Sequence, residues 1–292
     1  AYAKLYSNAG AMTQGTTEET ADAMSMAKID SIIEKLKEER YRWTSVRRVN
    51  IPKKNGKSRP LGLPTWSDKL VQEVIRLILE AYYEPQFSDH SHGFRPGRGC
   101  HTALLDVTRN SKGTKWFIEG DIRGCFDNID HSILLSILRE EIHDNRFLRL
   151  IENLLKAGYC EFWHYHASYS GTPQGGGVSP LLANIYLDRL DTFVEAVLRP
   201  ANTRGEHRKR NPAWNQATCQ VYRNRRLGRH GEARKWDKVR KTIPSCDLYD
   251  PDFRRLNYTR YADDFILCFA GPKREAEQIK AQLKLFLQET LK

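Results

Sequence analysis

The chain has 292 residues, 40% of them hydrophobic, and a formal net charge of +11 at neutral pH. This length supports one large domain or two closely joined subdomains. No apolar run is long enough to span a bilayer, so we expect no membrane partner. Six scattered cysteines form no C-x-x-C pair. That spacing argues against a zinc ribbon or a disulfide framework and favours a reducing compartment.

The positive charge is concentrated in one segment. Residues 199–241 contain fourteen Lys and Arg against three acids, while the remainder of the chain is neutral. Such a block predicts contact with nucleic acid, and the alternative is a solvated or disordered loop that is basic only for solubility. Trp214, Tyr222 and Trp236 lie among the arginines, which favours single strands or RNA loops. The residues predicted to bind RNA are Arg208, Lys209, Arg210, Arg223, Arg225 and Arg226.

The first third of the chain alternates between helical and extended patterns. After a polar N-terminus, residues 26–36 repeat apolar side chains at helical spacing. Residues 46–51 and 59–63 predict two strands around an Asn-Gly turn with a basic tip. This hairpin either has lysines that keep a surface edge soluble or is a flap that closes over phosphates.

A helix is predicted over residues 67–83, with Leu70, Val74, Leu77 and Ile78 on its apolar face. The loop at residues 91–98 that follows is rich in Gly and Pro and contains two arginines. It could approach a sugar-phosphate backbone closely or be a plain connection.

The middle of the chain contains an acid at the end of a buried-strand pattern. Residues 116–118 predict the strand, Asp121 ends it, and Phe126 follows five positions later. A metal-binding acid and an ordinary strand-end turn are both consistent with this pattern. Further on, a Gly-rich loop at residues 170–180 opens a long helix predicted over 181–198, whose N-terminus would favour anions.

Two adjacent acids, Asp263 and Asp264, lie between two strand patterns, residues 258–261 and 265–269. Neighbouring carboxylates repel each other, and a hard cation such as Mg²⁺ would relieve that repulsion. A solvated hairpin turn is the alternative. If these strands neighbour the strand of Asp121 in one antiparallel sheet, three carboxylates converge. Such convergence suits two-metal phosphoryl transfer. A final helix is predicted over residues 274–291.

Taken together, five blocks resemble the reverse transcriptase domain of a bacterial group II intron-encoded protein, or maturase. The resemblance implies an α+β, right-hand polymerase fold with fingers and palm and an antiparallel palm sheet packed on helices. The family continues with a thumb, which we expect to be absent here. It divides the chain into an N-terminal extension (1–45), fingers (46–112 and 131–172) and an incomplete palm (113–130 and 173–292) with a basic insertion at about 199–256. The blocks are residues 51–64, 91–95, 121–130, 172–184 and 260–265.

The resemblance also implies roles for individual residues. Asp121, Asp263 and Asp264 would be catalytic and, with the Ile122 carbonyl, would hold two Mg²⁺ ions. Phe126 would exclude a ribose 2′-hydroxyl. The residues that would contact the rest of the incoming nucleotide are Lys53, Arg59 and Gln174.

The implied function is RNA-directed DNA polymerisation by a domain that binds intron RNA for splicing and copies it during retrohoming. The implied partners are group II intron RNA, an RNA template with a DNA primer, and deoxynucleotides, in a bacterial cytoplasm. The alternative is a non-catalytic splicing cofactor that binds intron RNA. Because only one predicted helix follows the acidic hairpin, we expect poor primer extension by this chain. Uncovered apolar faces could then pair two copies as a homodimer.

Overall fold

The computed structural model describes residues 1–8, 10–52, 56, 58–162, 164–172 and 176–292. Lys53 and Gln174, two of the predicted nucleotide contacts, lie outside the described residues. The described residues form helices and strands in mixed order, which confirms the α+β class. The elements in chain order are α1 (Tyr2–Tyr6), α2 (Met26–Lys37), β1 (Val46–Pro52), β2 (Ser58–Leu63), α3 (Trp66–Tyr83), α4 (Cys100–Asn110), β3 (Trp116–Asp121), α5 (Cys125–Asn128), α6 (His131–Glu141), α7 (Asn145–Lys156), β4 (Tyr159–Glu161), β5 (His164–His166), α8 (Ser179–Phe193), α9 (Arg199–Ala201), α10 (Pro212–Arg226), α11 (His230–Thr242), β6 (Arg255–Tyr261), β7 (Asp264–Ala270) and α12 (Lys273–Phe286).

The first sheet has the order β2-β1-β4-β5. Strands β1 and β2 pair antiparallel from Arg47 opposite Leu63 to Pro52 opposite Ser58, which confirms the predicted hairpin. Strand β4 adds to β1 in parallel, with Val46 opposite Tyr159. The hairpin is therefore joined to a segment more than a hundred residues away.

The second sheet has the order β3-β7-β6 and is antiparallel throughout. Because side chains alternate along a strand, one face of this sheet packs into the core and the other carries the acids. The inner face includes Ile118, Tyr258 and Leu267, all buried in the main apolar core together with residues of α8 and α12. The outer face carries Asp121 and Asp264. The alternation thus separates the core from the acids.

Helix α3 buries a different face from the one predicted. Leu70 is buried, but Val74, Leu77 and Ile78 are 43%, 41% and 54% exposed. The core contacts come instead from four residues on the adjacent stripe: Val71, Ile75, Leu79 and Tyr83. Apolar residues surround most of this helix, so periodicity alone could not choose between the two stripes.

The N-terminal residues dock on the start of α3. The Trp66 indole donates to the Ala11 carbonyl at 3.1 Å, and the Glu19 carboxylate accepts from the Ser67 backbone and hydroxyl, both at 2.8 Å. Ala11, Ala21 and Trp66 form a small buried cluster. Few apolar residues therefore suffice to attach this polar segment.

The basic segment contains a helical hairpin. Helices α10 and α11 pack against each other and bury few side chains, among them Ala217, Val221 and Ala233. The alternative of a disordered loop is therefore wrong for this region. No helix among the described residues is long and apolar enough to cross a membrane.

Candidate active site

Three acids predicted to act together lie at one end of the second sheet. Strands β3 and β7 place Asp121 directly opposite Asp264, and β6 places Tyr261 opposite the same residue. The Ile122 amide donates to the Asp263 carbonyl at 3.3 Å. The prediction that the strands of Asp121 and of the acidic pair are neighbours is confirmed, across 142 positions of sequence.

The electrostatics at this end of the sheet disfavour three ionised acids. Burial raises the pKa of the Asp264 carboxyl above its ordinary value, and the charges of Asp263 and Asp121 raise it further. Like charges directly opposite each other on a ladder destabilise the sheet. A bound cation would reverse both effects.

The donor set fits a hard divalent cation, because carboxylate and carbonyl oxygens are the ligands that Mg²⁺ prefers. Within the described ranges, no three His, Cys, Asp or Glu side chains already form a metal cluster. The shared register and the raised pKa of Asp264 are the observations that support this fit.

The turn between β6 and β7 is built around a left-handed residue and a close glycine. Ala262 has φ 55° and is 7% exposed. A Cβ on Gly93 would lie 2.2 Å from the Ala262 backbone nitrogen. The loop before Gly93 also pairs with β6, where the His92 amide donates to the Arg260 carbonyl at 2.9 Å. The acidic turn is therefore supported from behind by residues 90–93.

This support explains what the Gly/Pro-rich loop does. The guanidinium of Arg95 is buried, pairs with Glu84 at 3.0 Å and donates to the Ser91 carbonyl at 2.8 Å. Arg98 pairs with Asp89 at 2.6 Å. Both arginines therefore hold the loop in place through intramolecular contacts.

Phe126 lies on α5, the short helix that follows Asp121. Its ring meets that of Phe94 edge to face, with centroids 6.0 Å apart. Its carbonyl accepts from the Thr172 amide at 2.7 Å. Gly171 has φ 82°, and a Cβ there would lie 2.7 Å from the Phe126 carbonyl oxygen. The first residues of the Gly-rich loop therefore pack tightly on α5.

Arg59 lies on β2 opposite Ile51, near the tip of the first hairpin, and is exposed. It stands on the hairpin predicted to close over phosphates, in a different sheet from the acids.

The six predicted RNA-binding residues fall into two groups. Three lie at the base of the insertion and have intramolecular partners: Arg208 donates to the Gly113 carbonyl at 2.8 Å, Lys209 pairs with Asp252, and Arg210 lies 5.2 Å from the Trp214 ring centroid. The other three, Arg223, Arg225 and Arg226, are exposed in the last turn of α10. None of these three side chains pairs with an acid within the described part of the chain.

Exposed Tyr222 adjoins this arginine group, with 63% of its surface accessible. Trp214, by contrast, contacts Arg210 and Arg240 within the insertion. Of the three aromatics singled out in the sequence, Tyr222 is the exposed one, whereas Trp214 and Trp236 are partly buried, so Tyr222 is the best placed to stack with a base.

The sequence patterns did not identify the buried group beneath the acidic turn. Arg260 and Asp191 are 0% and 1% exposed and form an ion pair at 2.6 Å. Arg260 occupies an inward position on β6, two residues from the buried Tyr258. A charged residue at a core position of an apolar strand is the signal that could have revealed it.

The protein combines an α+β fold, three acids at one end of a sheet and an exposed basic surface. These features are typical of proteins that bind nucleic acids. Residues 51–222 match the family model described as reverse transcriptase (RNA-dependent DNA polymerase). The chain belongs to this family, among the group II intron-encoded proteins.

The similarity to two individual proteins covers the chain almost completely, and a third matches three quarters of it. It is 48% identical to the group II intron-encoded protein LtrA of Lactococcus lactis subsp. cremoris over 100% of this chain and 50% of that protein. It is 42% identical to an uncharacterized 91 kDa protein in the cob intron of Schizosaccharomyces pombe, over 98% of this chain and 36% of that protein. A nuclear intron maturase 1 of Arabidopsis thaliana is 25% identical over 75% of this chain. The chain thus spans half or less of the first two relatives.

Proposed function

We propose that this chain is the catalytic reverse transcriptase domain of a group II intron maturase. It copies an RNA template from a DNA primer with deoxynucleotides and binds intron RNA for splicing and retrohoming. The family membership supports this proposal. The observation that carries it is the register that sets Asp121 opposite Asp264, beside Asp263.

The acids supply the oxygen ligands for divalent metal. Asp121, Asp263 and Asp264, with the Ile122 carbonyl, would hold two Mg²⁺ ions. Bound Mg²⁺ neutralises charge on the transferring phosphate and activates the attacking hydroxyl. Burial and the neighbouring acids raise the pKa of Asp264, so metal binding and ionisation of this carboxyl favour each other.

Other residues hold and select the nucleotide. Phe126 lies five residues after Asp121 on α5, where its ring blocks a ribose 2′-hydroxyl. Arg59, with Lys53, grips the triphosphate from the hairpin, since guanidinium and ammonium groups are the usual phosphate ligands. Gln174 completes the contact with the nucleotide.

The two sheets correspond to two subdomains of a right-hand polymerase. The β2-β1-β4-β5 sheet with its helices forms the fingers, and the β3-β7-β6 sheet forms the palm. Residues 1–45 form an extension that holds template RNA, and residues 199–256 form an insertion in the palm. The separation of the basic hairpin on one sheet from the acids on the other supports this division.

Intron RNA binds the helical hairpin of the insertion. Arg223, Arg225 and Arg226 contact phosphates, and Tyr222 stacks with an unpaired base. The exposure of this cluster at the end of α10 supports the assignment. Arg208, Lys209 and Arg210 add positive potential at the base of the hairpin.

The catalytic proposal is tested by replacing the paired acids. Asp263→Asn with Asp264→Asn should reduce Mg²⁺-dependent DNA synthesis on an RNA template to background while leaving the affinity for intron RNA within about twofold. Glu119→Gln is the matched control, because Glu119 is an exposed acid on the same face of β3, two residues from Asp121. Full synthesis by the doubly substituted protein would refute the assignment.

One observation favours a second function, a non-catalytic splicing cofactor. The whole charge surplus lies in residues 199–241, away from the acids. Glu substitutions at Arg223, Arg225 and Arg226 should weaken intron RNA binding and reduce its salt dependence, by roughly 0.7–0.9 in slope for each phosphate that the protein no longer neutralises. The control carries the same charge change on α12, at Lys273, Lys280 and Lys284. If the unsubstituted protein assists splicing of intron RNA but synthesises no DNA, this second function is favoured.

A further inference from the structure

The core beneath the acidic turn contains a completely buried ion pair. The Arg260 Nε lies 2.8 Å from Asp191 Oδ1, and Nη2 lies 2.6 Å from Oδ2. The Tyr258 hydroxyl donates to the same Asp191 Oδ1 at 2.7 Å. This geometry is bidentate, which fixes the plane of the guanidinium as well as its position.

The remaining donor of Arg260 reaches the turn itself. Its Nη1 donates to the Ala262 carbonyl at 2.8 Å and to Asn184 Oδ1 at 3.1 Å. The Asn184 amide group then donates to the Gly93 carbonyl at 2.8 Å. Helix α8, strand β6 and the loop behind the turn are thus joined at one guanidinium.

A buried ion pair by itself contributes little net stability to a fold. Desolvation offsets much of the attraction, and apolar residues of similar volume often stabilise a core equally well. What Arg260 provides that an apolar residue cannot is a directed hydrogen bond to the Ala262 carbonyl. Ala262 has the left-handed φ of 55° that few non-glycine residues adopt, and Asp263 and Asp264 follow it directly.

We propose that Arg260, held by Asp191, is a positioning residue for metal binding. By fixing the Ala262 carbonyl it sets the direction in which the next two carboxylates leave the turn. This inference rests on the proposed metal-dependent function. Arg260 does not touch a reacting group, so its effect should appear in metal affinity.

The test measures Mn²⁺ binding to the whole chain by electron paramagnetic resonance, with thermal unfolding measured in parallel. Arg260→Met alone leaves Asp191 buried without its cation and should lower the unfolding temperature strongly. The informative variant replaces the group together, as Arg260→Met, Asp191→Leu and Tyr258→Phe. It should unfold close to the wild-type temperature yet bind Mn²⁺ at the acidic turn at least about 10-fold more weakly, since loss of groups that orient metal ligands typically costs 10–100-fold.

A second variant keeps the charge. Arg260→Lys preserves a cation for Asp191, but a single ammonium cannot reproduce the planar bidentate pair together with the carbonyl contact. It should fold and show Mn²⁺ affinity between those of the wild type and the triple variant. Tyr41→Phe is the stability control, because Tyr41 donates to the buried Asp68 at the same 2.7 Å, away from the acidic turn. Its Mn²⁺ affinity should be unchanged.

The outcomes separate this inference from the proposed function. Wild-type Mn²⁺ affinity in the folded triple variant would overturn the positioning role while leaving the metal site intact. If Asp263→Asn binds Mn²⁺ as well as the wild type does, or if the wild type binds none, both the metal site and the positioning role are overturned.

Discussion

Gly93 is the position where the smallest substitution should disturb the acidic turn most. A Cβ there would lie 2.2 Å from the Ala262 nitrogen, 2.8 Å from its Cα and 2.9 Å from its Cβ. Two of these atoms are backbone, so no rotation of a side chain can relieve the overlap. Either the loop at residues 90–93 or the turn itself must move.

Overpacking a filled core costs about 1–3 kcal/mol, and we expect Gly93→Ala to fall at the upper end because backbone must shift. In a chain of this size each kcal/mol lowers the unfolding midpoint by about 2–4 °C, so a cost near 3 kcal/mol should lower the midpoint by roughly 6–12 °C. Displacement of Ala262 should also weaken Mn²⁺ binding at the acids.

The assay is thermal unfolding followed by circular dichroism, with Mn²⁺ titration at a temperature where both proteins are folded. Gly99→Ala, at the start of α4 six residues further on, is the matched control, since no atom lies within 4 Å of its Cβ position and its φ of −175° is ordinary extended backbone. Its midpoint should change little. If Gly93→Ala has the same unfolding midpoint and the same Mn²⁺ affinity as Gly99→Ala, the inference that Gly93 closely supports the acidic turn is wrong.

Three further substitutions follow from local geometry. Burial raises the pKa of Asp188 to about 6, with a further contribution from Asp191. Ionisation of Asp188 therefore favours the unfolded state as the pH rises from 3.8 towards 6, so Asp188→Asn should be about 1–2 kcal/mol more stable than wild type at pH 8 and equal to it at pH 3 by urea unfolding. Gly120→Ala should destabilise by about 2–3 kcal/mol, because its Cβ would lie 2.0 Å from the Phe265 ring, and an unchanged urea midpoint would contradict that packing. Gly231→Ala should stabilise by about 0.5–1 kcal/mol, since it lies in α11 with open space around it, and a lowered midpoint would contradict this.

Local patterns predicted most elements because each depends on neighbouring residues. The strands β1 and β2, the strand before Asp121 and the helix after the Gly-rich loop all require only short-range periodicity. The pattern failed on α3, where apolar residues surround most of the helix and only packing partners select the buried stripe. It also left open whether the basic segment is ordered, because few apolar side chains hold α10 on α11.

The sequence by itself determined the class of protein and predicted the three acids of the candidate site, because residue type and spacing carry those signals along one strand or turn. The tertiary structure alone decided which residues the acids meet. Asp121 faces Asp264 only because β3 pairs with β7 in one particular register, and a shift of one residue would turn one of them into the core. The packing of β6 against α8 buries Arg260 over Asp191, a contact that no local pattern specifies. The tertiary structure also decided that Arg95 holds a loop while Arg223 faces solvent, because burial depends on neighbours distant in sequence.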